Sequence, residues 1–223
     1  MLSSWKKDVS RIVNGRAGLA VLVVTVLAVC VCVTLLLRPS DRLPYNDRFA
    51  DGRMDEWVVY GGSWQIAGAV VSNNSDDAGS KIVAGSEGLS DYVMNSDVSL
   101  TSSDGDTGIM VRVTNPEVGT NAFNGYYVGI RLPDALLLGK MDYGYRPLTQ
   151  VRIAQGVKPY VWYHLTVMAK GCTLTATAYD AHGNMVAATS FEDQQDCERH
   201  GAFGLRSFAA GGSWRGVSVE ELR

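Results

Sequence analysis

Residues Trp162–Tyr179 read WYHLTVMAKGCTLTATAY, and this stretch decides the fold. Tyr163, Leu165, Val167 and Ala169 alternate with Trp162, His164, Thr166 and Met168. Past Lys170-Gly171, Leu174, Ala176 and Ala178 alternate with Thr173, Thr175, Thr177 and Tyr179. A period of two sends successive side chains to opposite faces, so each half is a strand with one buried face. The predicted strands are Trp162–Lys170 and Thr173–Tyr179, joined as a hairpin around Gly171.

The same pattern extends outward. In Tyr92–Leu100, Tyr92, Met94, Val98 and Leu100 oppose Val93, Asn95, Asp97 and Ser99. Turn signals fall at Ala67-Gly68, Ser103-Asp104-Gly105-Asp106, Asn124-Gly125, His182-Gly183-Asn184 and Gly211-Gly212. The chain has 24 glycines and only 6 prolines, and no helical period follows the N-terminal region. About a dozen short strands are expected, and a sheet that large curls or splits into two packed layers. The expected fold is all-β, a two-sheet antiparallel jelly-roll sandwich preceded by a single N-terminal transmembrane helix.

That helix is read from Ala17–Leu37, an unbroken apolar run without charge or proline, bracketed by Arg16 and Arg38. A helix of this length is roughly 30 Å long, enough to cross a bilayer core. It exceeds a secretory h-region, and Leu35-Leu36-Leu37-Arg38-Pro39 lacks a small-x-small cleavage site. Cys30 and Cys32 follow valines rather than the small residue of a lipobox and read as apolar residues of the span. Lys6, Lys7, Arg11 and Arg16 precede the run; Arg38, Arg42 and Arg48 follow it. This bias puts the N-terminus in the cytoplasm. The organisation is then a head at 1–16, a span at 17–37, a tether at 38–45 and an extracytoplasmic domain at 46–223. The expected location is the cell membrane, with a single pass. A formal net charge of −3 and no basic stripe argue against a nucleic-acid partner.

The order of further segments resembles a known pattern. It runs through Asn46-Asp47-Arg48-Phe49, Trp57, Gly62-Ser63-Trp64-Gln65-Ile66, Gly108-Ile109-Met110-Val111-Arg112-Val113 and Gly125-Tyr126-Tyr127-Val128-Gly129-Ile130. It closes with Gly201-Ala202-Phe203-Gly204-Leu205-Arg206 and Val217-Ser218-Val219. The body resembles the concanavalin A-like lectin/glucanase jelly roll, and within it the 3-keto-disaccharide hydrolase domain and its laminin-G-like relatives. The resemblance implies two curved antiparallel sheets and a concave face that often holds sugar. It also implies a structural Ca²⁺ near the first and last strands, for which Asp47 is the candidate; no other cofactor is expected.

Catalytic signatures are weak. The Glu-x-Asp-x-x-Glu string of the lectin/glucanase enzymes does not occur, and no catalytic residue is assigned. Glu192-Asp193 with Asp196 and Glu198 reads as a solvated acidic loop, and Asp104-Gly105-Asp106 as a turn. His164, His182 and His200 lack metal-ligand spacing. Cys172 and Cys197 pair in an oxidising compartment, or else remain two free thiols. A bridge closing about 25 residues contributes on the order of 3 kcal/mol in the chain-entropy model. Asn73-Asn74-Ser75 is a glycosylation sequon.

Ligand-binding candidates are Arg112, Tyr127, Arg131, Lys140 and Arg206, assigned to strand faces opposite the core, together with Trp162. Arginine and tyrosine supply the planar hydrogen-bonding groups and aromatic faces that sugars need; the alternative is that these residues cover an outer sheet. The expected function is a membrane-anchored, non-catalytic module for a carbohydrate or other surface ligand. The alternatives are a glycoside-processing enzyme of the 3-keto-disaccharide hydrolase type and a structural or sensory ectodomain binding a protein. Oligomeric state is not legible.

Overall fold

The computed structural model describes residues 43–222. The head and the span lie outside the described residues, as does most of the tether. No helix among the described residues is long and apolar enough to cross a membrane.

The described residues form fifteen strands. The first five are β1 (Tyr45–Asp47), β2 (Val58–Tyr60), β3 (Trp64–Ala67), β4 (Val70–Asn73) and β5 (Ser80–Ala84). Next come β6 (Tyr92–Leu100), β7 (Asp106–Thr114), β8 (Asn124–Arg131), β9 (Ala135–Asp142) and β10 (Tyr145–Arg152). The last are β11 (Tyr163–Lys170), β12 (Thr173–Tyr179), β13 (Met185–Glu192), β14 (Ala202–Phe208) and β15 (Gly212–Glu221).

They make two antiparallel sheets. A seven-stranded sheet has the order β10-β9-β8-β7-β14-β5-β2. An eight-stranded sheet runs β13-β12-β11-β6-β15-β4-β3, with β1 paired to β15. Tyr45, the last residue of the stretch read as tether, opens β1 and stands opposite Val219.

The alternating strands behave as their sequences dictate. In β6, β11 and β12 the apolar set, including Tyr92, Met94, Leu165, Val167 and Leu174, is buried. Their neighbours on the other face stay partly exposed, apart from the buried Ser99. The hairpins around Gly171 and His182–Asn184 both form. Trp214 is fully buried; its ring stacks on Trp64 at 5.2 Å, and Nε1 donates to the Gly108 carbonyl at 3.0 Å. Asn124-Gly125, read as a turn, instead opens β8.

The seven-stranded sheet is covered on both sides at its centre. Every residue of β7 is buried. One face meets the inter-sheet core through Ile109, Val111, Val128 and Leu138. On the other face a smaller cluster gathers Val83, Met110, Phe123, Tyr127 and Met141. Near-continuous apolar runs of this kind belong to strands buried on both faces.

β7 carries a bulge. Its register with β8 shifts between Val111 and Thr114, and Arg112 there has φ 54°. Two glycines make room for it: a Cβ on Gly125 or Gly201 would collide with the Arg112 backbone. The extra residue turns the Arg112 side chain off the face that simple alternation assigns to it.

Candidate functional site

The register of the seven-stranded sheet determines which side chains share its outer face. Met110 stands opposite Tyr127, Gly108 opposite Gly129 and Asp106 opposite Arg131. On the flanking strand, Arg206 pairs with Gly108 and Phe208 with Asp106. On the other side, Gly139 pairs with Tyr127 and Leu137 with Gly129. The Tyr127 ring lies over Gly129, and the Tyr145 ring over Gly139, in space that side chains there would fill.

These residues enclose a pocket of about 110 Å³. Its polar lining is Asp106, Asn121, Tyr127, Arg131 and Arg206; Tyr145, Phe208 and Leu137 supply the rest. Asp106 accepts a hydrogen bond from the Tyr127 hydroxyl at 2.6 Å and a longer contact from Arg206 Nη1 at 3.5 Å. Arg206 Nη2 donates to Asn121 Oδ1 at 2.6 Å. The guanidinium lies 4.6 Å from the Tyr127 ring centroid and 5.2 Å from that of Phe208. Arg206 is 3% exposed, and its Nε has no hydrogen-bond partner. At the rim Arg131 donates to Gln150 Oε1 at 2.8 Å, and Tyr145 is 39% exposed.

Burial shapes the electrostatics. It raises the Asp106 carboxyl above its ordinary range, against the opposing pull of Arg206 and the Tyr127 hydroxyl. Burial, then the Asp106 charge, holds the Tyr127 phenol well above its usual value. Lys81 stands beside Arg206 on β5. It is fully buried, and Nζ donates to the Gly119 carbonyl at 3.0 Å. Burial and the nearby Arg206 charge lower its pKa to about 8. The pocket therefore brings a guanidinium, a carboxyl group and the partly exposed Tyr145 ring to one small hollow, while Arg206 Nε itself is buried.

The sequence candidates separate. Tyr127, Arg131 and Arg206 meet in the pocket. Arg112 does not face it. The β7 bulge sends its side chain into a fully buried position, where Nε donates to the Ser90 carbonyl and Nη1 to the carbonyls of Gly171 and Glu198. Nη2 pairs with Asp91 at 3.0 Å. Lys140 is likewise displaced. It stands opposite Tyr126, on the core-facing side of β9, and reaches Asp193 at 3.0 Å. Tyr126 donates to the same carboxylate oxygen at 2.9 Å. Asp193, read as part of a solvated loop, is 2% exposed. Burial alone would raise its pKa, but hydrogen bonds from Lys140 and Tyr126 bring it below the ordinary carboxylate value.

Trp162 precedes β11 on the eight-stranded sheet, on the opposite side of the sandwich from the pocket. The Arg215 guanidinium lies 4.5 Å from its ring centroid. Asp47 accepts from the Phe49 amide at 2.7 Å and from Trp57 Nε1 at 2.8 Å, which engages both carboxylate oxygens. Among the described residues no three His, Cys, Asp or Glu side chains gather as metal ligands. Cys172 and Cys197 form a disulfide with Cα atoms 5.6 Å apart. Asn73 of the sequon is fully buried, and its Nδ2 donates to Ser75 and Ser207.

Sequence reasoning missed Asp106, Asn121, Tyr145 and Phe208. Asp106 was absorbed into a turn, although a carboxylate opening a run as apolar as β7 is itself a signal that it has partners. Asn121 and Tyr145 come from loop and edge positions whose sequence carries no comparable mark.

No family model matches the chain, and no curated protein matches it. Solved structures do. Carbohydrate-binding module CBM66 from Bacillus subtilis has a TM-score of 0.61 at 21% identity, covering 74% of this chain and 96% of that one. A Bacillus subtilis protein of unknown function with a galectin-like fold has a TM-score of 0.63 at 14% identity, covering 82% and 97%. The VIP36 exoplasmic/lumenal domain, in its Ca²⁺/Man3GlcNAc-bound form, has a TM-score of 0.57 at 13% identity, covering 77% and 86%. At these identities the likeness is one of fold, a lectin-like jelly roll.

Proposed function

We propose that this chain is a carbohydrate-binding module that takes its ligand on the outer face of the seven-stranded sheet, displayed at a membrane surface by residues 17–37. One observation carries the reading: Arg206, Asp106 and Tyr127 line one small pocket with the half-exposed Tyr145 ring at its rim. Charged and hydrogen-bonding groups converging on a hollow suit a sugar hydroxyl, and Tyr145 offers a ring for stacking. Two fold neighbours, a carbohydrate-binding module and a Man3GlcNAc-bound lumenal domain, support the choice of ligand class.

Hydrolysis fits the pocket less well. Glycoside hydrolysis ordinarily employs two carboxyl groups, and Asp106 is the one carboxyl in the pocket lining. A glycan array probed with the detergent-solubilised chain tests the binding reading. Retention on at least one glycan, weakened by Tyr145→Ala, is the expected result. An array without a bound glycan, or release of sugar from a bound glycoside, defeats the proposal.

A further inference from the structure

The charge around the pocket is unbalanced. Its lining holds two cations, Arg131 and Arg206, against one carboxyl, Asp106. Behind it Lys81 stands next to Arg206 across the β5–β14 ladder, fully buried, with a neutral carbonyl as its hydrogen-bond partner. Two positive groups thus flank one acid, which also takes the Tyr127 hydroxyl, and a third stands next to Arg206. Burial opposes ionisation of that acid as well.

The imbalance is built into the fold. Arg206 is held by the Tyr127 and Phe208 rings, by Asn121 at Nη2 and by a longer contact to Asp106 at Nη1. These contacts fix the guanidinium plane. A fixed guanidinium recognises a planar, bidentate anion better than a hydroxyl. Neighbouring cations in a partly desolvated site repel, and a bound anion relieves that repulsion.

We infer that the pocket selects sugars bearing a carboxylate, a hexuronate, whose carboxyl group enters beside the Arg206 and Arg131 guanidinium groups while its ring lies toward Tyr145. This inference rests on the proposed sugar-binding reading of the same pocket and names the substrate class. Arg131, at the rim, adds long-range attraction rather than a fixed contact.

Calorimetry on the chain with methyl glucuronide, methyl glucoside and sodium acetate as separate probes tests it. Glucuronide should bind about tenfold or more tighter than glucoside, the worth of a hydrogen bond between charged groups. Its affinity should fall as salt is raised. Arg206→Met should abolish the preference. Arg131→Gln, at a rim position that tolerates change, should weaken glucuronide by about threefold without unfolding the chain. Glucoside bound as tightly as glucuronide overturns the inference and leaves the sugar-binding reading standing. Acetate bound as tightly as glucuronide overturns it too, because the sugar ring would then be idle. An unchanged glucuronide affinity in Arg131→Gln counts against it even where Arg206→Met fails to fold. Binding of none of the probes, together with an empty glycan array, removes both readings.

Discussion

Lys81 shows what one side chain costs the fold. An ammonium buried beside a guanidinium is the opposite of a salt bridge, and burial, then Arg206, brings its pKa from 10.5 to about 8. Between those values the unfolded chain keeps a proton that the folded chain has released. Stability from this group therefore rises with pH through the window from 8 to 10.5, and its penalty is fully present below 8. The urea midpoint of the native chain should climb across that window relative to Lys81→Met. Parallel profiles for the two would show that Lys81 is not held in the charged, desolvated position described. If the pocket takes an anionic ligand as proposed, a cation next to Arg206 contributes attraction to it.

At the level of elements, the β7 bulge is the device that organises one end of the sandwich. It aims Arg112 between the β11–β12 turn and the segment after β13, the two chain stretches that the disulfide also joins. Asp91 completes the clamp by accepting from both Arg112 Nη2 and the Gly171 amide. Arg112→Ala removes the buried cation and orphans these carbonyls, with an expected cost of about 3 kcal/mol or more in chemical denaturation. A loss below about 1 kcal/mol would mean the clamp is ornamental.

This element also marks the limit of what is legible in sequence. β6, β11 and β12 alternate because each buries one face, and their buried sets follow directly from the residue order, with β11 opening at Tyr163, one residue after the expected Trp162. β9 (ALLLGKMD) is buried through seven of its residues, so it has no alternation to read. β10 contains Pro147 and is largely exposed. Arg112 misleads because a left-handed residue resets the face count without changing composition. Asp193 misleads because its partners, Lys140 and Tyr126, are more than fifty positions away in the chain. The pocket is half legible. Tyr127, Arg131 and Arg206 stand out as polar residues within apolar strands, whereas Asn121 and Tyr145 arrive through tertiary folding.

For the molecule as a whole, the apolar run and the disulfide make a joint statement about compartment. The proposed topology places residues 46–223 where thiols oxidise. Chain recovered from cells should therefore sediment with membranes, resist alkaline extraction, and carry Cys172 and Cys197 in a form that blocks thiol alkylation until reduced. Free thiols in the membrane fraction would reverse the proposed orientation. Chain that stays in the supernatant would refute residues 17–37 as an anchor.

The burial of Asn73 has a consequence for any host that decorates secreted chains. Its amide nitrogen, the atom an oligosaccharyltransferase must reach, already bonds Ser75 and Ser207 between β4 and β14. A glycan can be attached only before β4 docks, and a chain so modified has no room to bury the residue afterwards. In such a host, Asn73 of the folded chain is closed to the enzyme.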